Sequence, residues 1–337
     1  MFCGRERYDR HAGEGAKDRR PLPLPPHPLP QSLKAGAQAS SLCYTGKMPV
    51  LPAAKEAARG SRENGEGLAV PGVRPHKDSN KTAMGLDFGS RYVKMVHARG
   101  GRFTRRRLDS LDFYRDMLAK AEGHLRIDWE RIGLAPPQAL VVTGYGKNLL
   151  KDLGPTITEI RAIFLGARLI TGWDHFILLE MGGQDTKVLY IREERVFDFV
   201  TNDRCAAGTG RYLENMARFL KMPLRDFSGC WQEPVDISQT CAIFGESELI
   251  GHLLEGIPPD RLAAGINASV SRRALTMMHR YRCPRLVFIG GVAKNRAVVH
   301  FLREGRADQV RVPPHPQFTG ALGCCLEALK LIEAAGP

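Results

Sequence analysis

The feature that most constrains this chain is a series of secondary-structure signals that occurs twice. From Met84, "GLDFG" and "YVKMVHA" alternate apolar and polar residues about a Gly-Ser turn, and "FTRRRL" supplies a third short segment. That is the pattern of an antiparallel meander. A helix over about 109–122, the apolar strand "ALVVTG" (139–144) and a helix over about 158–171 follow, the last opened by Thr158 with Glu159 in its first turn. The order then returns. "FILLEMGG" (176–183), "TKVLYI" (186–191) and "VFDFVT" (196–201) form a second meander, followed by a helix from about 209, helices near 242–255 and 259–281, and the strand "RLVFIGG" (285–291). A helix near 293–304, the strand "QVRVP" (309–313) and a closing helix from about 317 complete the chain. Two β-β-β-α-β-α units predict a duplicated α/β fold of two lobes with a cleft between them. The predicted lobes are residues 84–173, completed by the helix at 317–337, and residues 174–316.

Residues 1–83 stand apart. Ten of the 22 prolines, and 13 Lys/Arg against 8 Asp/Glu, fall in residues 1–80, where no apolar period is long enough for a helix or strand. Such composition predicts a disordered Pro/Arg-rich segment. Because Met84 directly precedes the first convincing strand, a native start at Met84 is an open alternative. The formal net charge of +13 invites a nucleic-acid reading. Beyond the first 80 residues the excess is spread without a basic stripe, and the one cluster, Arg105-Arg106-Arg107, reads as a solvated strand end. No stretch has the apolar run of a secretory signal or the ~18 apolar residues of a membrane span. The expectation is a cytoplasmic protein that binds neither nucleic acid nor membrane.

Each unit opens on a hairpin that sets an acid beside glycine. "LDFGS" gives Asp87, Gly89 and Ser90; "EMGGQD" gives Glu180, Gly182, Gly183, Gln184 and Asp185. Glycine lets backbone N–H groups converge on an anion, because no side chain blocks a phosphate oxygen. A carboxylate nearby suits a hydrated Mg²⁺ that neutralises phosphate charge. A third glycine turn, Gly208-Thr209-Gly210, opens a helix whose N-terminal dipole favours phosphate. A fourth, "GGVAKN", offers Gly290, Gly291 and Asn295 to a nucleoside lying against glycine backbone. Any one of these loops is as well explained as a plain turn; the ordered set predicts an ATP cleft.

That set, with the stretches "GLDFGSRYVK", "EMGGQDTKV", "NDRCAAGTGRYLENMA", "CAIFGESELI", "VFIGGVAKN" and "VPPHPQFTGALG", resembles the ATP-dependent electron-transfer activators of 2-hydroxyacyl-CoA dehydratases and benzoyl-CoA reductases (BadF/BadG/BcrA/BcrD type). These lie in the acetate kinase, sugar kinase, Hsp70 and actin superfamily, and the resemblance covers essentially all of residues 84–330. It implies a duplicated RNase H-like, actin-like ATPase fold, ATP and Mg²⁺ as ligands, and a homodimer serving an acyl-CoA dehydratase or reductase component. Ferredoxin or flavodoxin is the implied electron donor.

Eight cysteines show no CxxC pair. The resemblance gives Cys205 and Cys241 the role of ligating one [4Fe-4S] cluster per homodimer. A cubane cluster takes four thiolates, which two per protomer supply across a two-fold axis. Cys324, Cys325, Cys230 and Cys283 read as buried small hydrophobes. Within the ATPase, Asp87 is expected to hold Mg²⁺ through water, Glu180 and Asp185 to support the metal or the attacking water, and Gln184 to orient that water. Lys94 reaches phosphate or is an exposed strand lysine; Glu214 bonds a ribose hydroxyl or is helix surface. Glu246 and Glu248 lie near Cys241. Three residues depart from the resemblance: Arg91 stands at a small hydroxyl residue's position, Ile163 at a histidine's and Gly245 at an alanine's. A sugar or carboxylic acid kinase of the same superfamily, and a basic ATP-gated scaffold, are the competing readings.

Overall fold

The structure is a computed structural model and describes residues 81–121, 123–145, 150–202, 209–238, 242–306 and 309–335. In chain order these form β1 (Thr82–Phe88), β2 (Tyr92–Arg99), β3 (Arg102–Asp109), α1 (Ser110–Asp116), β4 (Leu118–Ala121), β5 (His124–Ile127), α2 (Trp129–Ile132), β6 (Ala139–Gly144) and α3 (Glu159–Thr171). The second half runs β7 (Phe176–Met181), β8 (Thr186–Arg192), β9 (Arg195–Asn202), α4 (Gly210–Phe219), α5 (Leu224–Phe227), α6 (Ala242–Leu254), α7 (Pro259–Met278), β10 (Arg285–Ile289), α8 (Arg296–Arg306), β11 (Gln309–Arg311) and α9 (Thr319–Ala334).

The duplication is explicit in the sheets. One is ordered β3-β2-β1-β6 and the other β9-β8-β7-β10-β11. In each, a three-stranded antiparallel meander is joined along its first strand by a parallel strand, β6 on β1 and β10 on β7. A glycine that the backbone requires closes β6 and directly follows β10. Gly144 (φ 106°) and Gly290 (φ 92°) lie where L side chains are strained. A methyl group there would sit 2.3 Å from the Phe88 carbonyl oxygen and 2.3 Å from that of Met181, respectively.

Burial explains the strand sequences. Alternate residues of β7 point to opposite faces. Ile177, Leu179 and Met181 pack with Tyr212 and Met216 of α4 and Ile266 of α7, while Phe176 and Leu178 pack with Ile163 and Ala167 of α3. With both faces covered, "FILLEM" and "RLVFI" need no polar alternation. The edge strand β9 alternates exposed and half-buried positions along its whole length. Ile163 is thus a core residue, 3 % exposed.

Helix α3 forms where Thr158 predicts. Its hydroxyl accepts from the Arg161 N–H at 3.2 Å and Gly172 (φ 67°) ends the helix. Helix α9 crosses α3 and covers the first sheet, placing Ala321, Leu322 and Cys325 against Ala83, Val96 and Val141.

Three expectations are corrected. The helix expected over 109–122 stops at Asp116; Asp109 caps its start, and the chain then turns through the β4–β5 hairpin with Gly123 (φ 83°). The arginine triplet is not a solvated strand end. Arg105 is 6 % exposed, Arg106 donates to the Ile132 carbonyl and Arg107 stacks on Tyr92. The helix expected near 293–304 begins later, at Arg296, after a 3₁₀ turn over Val292–Lys294. Among the described residues no helix is long and apolar enough to cross a membrane.

Candidate functional site

The two hairpins place an acid opposite a lysine by register. Asp87 pairs with Lys94 across β1 and β2, and Glu180 with Lys187 across β7 and β8. Lys94 Nζ lies 3.1 Å from Asp87 Oδ2 and Lys187 Nζ 3.2 Å from Glu180 Oε2. Lys94 is therefore part-buried and ion-paired, not an exposed strand lysine. Lys187 was not singled out in the sequence. Its signal was there: each acid precedes its lysine by the same seven residues.

Lys187 is the more enclosed of the two, meeting Asp185 at 2.6 Å and Glu159 at 2.9 Å as well. Burial alone would push its ammonium down; the carboxylates of Glu180, Glu159 and Asp185 outweigh burial and raise it. Burial raises the Glu180 carboxyl, with Lys187 opposing. Glu180 Oε2 makes no hydrogen bond of good geometry among the described residues. Lys187→Met should cost about 3–5 kcal/mol, because three carboxylates lose their shared cation. A carboxyl whose folded-state pKa is raised contributes stability at low pH and loses it as pH rises through that pKa. The deficit should therefore be larger at pH 8 than at pH 5, measured as denaturation midpoints of variant and wild type at each pH.

The hairpin glycines lie where polar side chains of the site crowd their backbone. A methyl at Gly183 would fall 2.8 Å from Ser90 Oγ, one at Gly182 3.0 Å from Asp185 Oδ1, and one at Gly89 2.5 Å from Lys94 Nζ. Helix α4 starts against the second hairpin, with the N–H groups of Gly210 and Arg211 donating to the carbonyls of Gly182 and Gly183 at 2.9 and 3.0 Å. Those two amides are engaged, so the helix start ties loops together before it offers anything to an anion. Thr209 caps the helix with its backbone and is fully buried. Gly291 differs: a methyl there would meet nothing within 4 Å, leaving open space over its backbone. Asn295 is 6 % exposed and both ends of its amide are used, Nδ2 donating to Asn267 Oδ1 and Oδ1 accepting from the Val298 N–H. These bonds tie its side chain to the start of α8 and to α7 and leave one N–H and one lone pair of the amide over.

One cavity of about 530 Å³ gathers these parts, lined by Asp87, Ser90, Glu180, Gly183, Gln184 and Asp185, among others. Lys94, Gly210, Glu214, Gly290, Gly291 and Asn295 also line it. Sequence reasoning missed Gln317 and Gly320, which reach the cavity from the 3₁₀ turn before α9 and from its first turn. A methyl at Gly320 would lie 3.2 Å from Asp87 Oδ2. Glu214 does not stand free on the helix surface: its Oε2 is 2.5 Å from Arg91 Nη1.

Cys205, Gly208 and Cys241 lie outside the described residues. The helices that follow those segments, α4 and α6, meet near their starts, where a methyl at Gly245 would be 3.7 Å from the Tyr212 hydroxyl. That is an ordinary contact, so glycine or alanine fits at 245. Glu246 is exposed, and Glu248 accepts from the Ser238 N–H and hydroxyl at 2.8 Å. The four described cysteines are free. Burial pushes the Cys325 thiol up to about 12 and raises Cys324 and Cys230 as well. Iodoacetamide at pH 8 should leave Cys324 and Cys325 unmodified in the native protein, as read by peptide mass spectrometry; labelling at the rate of unfolded protein would contradict this.

The family model described as the BadF/BadG/BcrA/BcrD ATPase family matches residues 85–328. The 2-hydroxyisocaproyl-CoA dehydratase activator of Clostridioides difficile is 38% identical over 194 residues, 56% of this chain and 73% of that protein. The (R)-2-hydroxyglutaryl-CoA dehydratase activating ATPase of Acidaminococcus fermentans is 36% identical over 195 residues, 56% of this chain and 75% of that protein. Among solved structures, the activator of the 2-hydroxyisocaproyl-CoA dehydratase from Clostridium difficile with bound ADPNP superposes with a TM-score of 0.66 at 31% identity, covering 75% of this chain and 96% of its own. Two meanders related by duplication, paired acids and glycines around one cavity, and a match along most of the chain agree: the chain belongs to the BadF/BadG/BcrA/BcrD ATPase family.

Proposed function

We propose that this protein is an ATP-hydrolysing activator that delivers single low-potential electrons to a 2-hydroxyacyl-CoA dehydratase or benzoyl-CoA reductase type of partner. The observation that carries the reading is the cavity in which Asp87, Glu180 and Asp185 converge with the close-packed glycines of both hairpins. Its carboxylate oxygens fit Mg²⁺, a hard cation, and the buried Glu180 Oε2 without a hydrogen bond fits a donor brought by a ligand or its water. Asp87 would hold the metal, Gln184 would orient water, and the backbone of Gly89, Gly182 and Gly183 would face phosphate. The open backbone at Gly291 suits a flat nucleoside. The relatives named above are activators of dehydratases, which supports an acyl-CoA enzyme as the partner; the proposal takes ferredoxin or flavodoxin as the donor.

The cluster belongs to the same proposal. Cys205 and Cys241 each stand just before a helix, α4 and α6, whose N-terminal end favours thiolate. The packing of those helices near their starts supports a common cluster site in a homodimer. Because α4 is bonded to the Gly182 and Gly183 carbonyls, movement of the hairpin on nucleotide binding reaches the start of α4, which follows Cys205 in the chain. The test is anaerobic purification of the full chain, with iron, sulfide and ATP hydrolysis measured together. ATP hydrolysis by a brown, iron-containing dimer is expected. Iron-free protein that phosphorylates a sugar or carboxylic acid would overturn the reading.

A further inference from the structure

An ion pair joins the two lobes at the mouth of the cleft. Arg91 follows Ser90 in the first hairpin, Glu214 lies one turn into α4, and Arg91 Nη1 stands 2.5 Å from Glu214 Oε2. Arg91 is anchored on its own side. Its Nε donates to the Tyr92 hydroxyl at 3.3 Å, and the Tyr92 ring also lies beneath the Arg107 guanidinium, 4.4 Å from its centroid. From α4, Arg211 Nη2 donates to the Ser90 carbonyl at 3.3 Å. Residues 211 and 214 are three apart and share a helix face, so one face of α4 grips two consecutive residues of the opposite hairpin. Arg91 and Glu214 both line the cavity. Among the described residues Glu214 makes no other ion pair or hydrogen bond.

We propose that Arg91 and Glu214 form a latch over the cleft that slows the departure of a bound nucleoside triphosphate. The inference rests on the cavity being the ATP site. A latch must be firm enough to delay release and weak enough to open. The side chains are 47% and 24% exposed, so water and salt screen the pair and it opens without leaving a buried charge behind. Arginine has the length and donor geometry to cross the cleft, which a small hydroxyl residue at position 91 lacks. Residue 91 thereby acts on nucleotide residence, while the hairpin glycines and Asp87 act on affinity and hydrolysis.

The latch is tested by the release of a fluorescent ATP analogue from the full chain, displaced with excess ATP. Arg91→Ala should release it about two- to fivefold faster at low salt, the range an exposed ion pair supports. Raising salt to about 0.5 M should shrink the difference, because the pair is screened. The exchanged pair, Arg91→Glu with Glu214→Arg, should release more slowly than either single reversal. Release by Arg91→Ala at the wild-type rate, or an exchanged pair no slower than its singles, would overturn the latch and leave the ATP site standing. A wild-type chain that binds no analogue would instead remove the ATP site, and the latch with it.

Discussion

Replacing Gly323 by alanine should destabilise the first lobe by about 3 kcal/mol or more, the upper end of the overpacking range. The added methyl would lie 1.9 Å from the Ala162 carbonyl oxygen. Its neighbours in the crossing offer no relief. A methyl at Gly166 would lie 2.0 Å from the Thr319 carbonyl oxygen, and one at Gly85 2.0 Å from that of Ala321. Each contact is with backbone, which has no alternative rotamer, so α9 must separate from α3 or from β1. Separation would open the apolar layer of Ala83, Val96, Val141 and Leu322 to water. Thermal unfolding should fall by about 6–12 °C, since each kcal/mol is about 2–4 °C for a chain of this size. Gly251→Ala is the control: nothing lies within 4 Å of a methyl there, and removing a helical glycine should be neutral or gain up to about 1 kcal/mol. Equal losses from both substitutions would show that the crossing is less tight than described.

Cys205→Ala and Cys241→Ala should each remove essentially all of the iron while leaving the fold and the ATP cleft in place. On the proposed function a single cluster takes four thiolates, two from each protomer, and loss of one residue removes two ligands by symmetry. No described cysteine is suited to replace them. Cys324 and Cys325 are fully buried under α9 with raised thiols, and the Cys230 thiol, also raised, donates to the Asp226 carbonyl. A thiol that resists ionisation makes a poor ligand. Wild type should carry about four irons per dimer and each variant close to none. Iron retained in either variant would remove that cysteine from the cluster.

Much of the fold was legible because duplication makes each half a check on the other. Both meanders were marked by acid-glycine turns, and both parallel strands by an apolar run ending in glycine. The β4–β5 hairpin was not, because "LAKAEGHLRI" is short and half-exposed, and its alternation is overridden by the helical signal of α1 before it. The loops of the site were legible as a set, but not the pairing among them. Lys187 was not singled out because its three carboxylates come from β7, the following loop and α3. The bond from Asn295 to Asn267, 28 positions earlier, likewise leaves no local trace in the sequence. Arg91 stood out in the sequence only as a departure from the resemblance; its partner, 123 residues away, makes it a cross-lobe contact.

The most direct measurement of the central claim is activation of a 2-hydroxyacyl-CoA dehydratase component by the dithionite-reduced full chain, compared with Mg-ATP, with Mg-ADPNP and without nucleotide. The account predicts sustained activation with Mg-ATP alone, because hydrolysis in the cleft makes the electron transfer directional. Equal activation in all three conditions would contradict it.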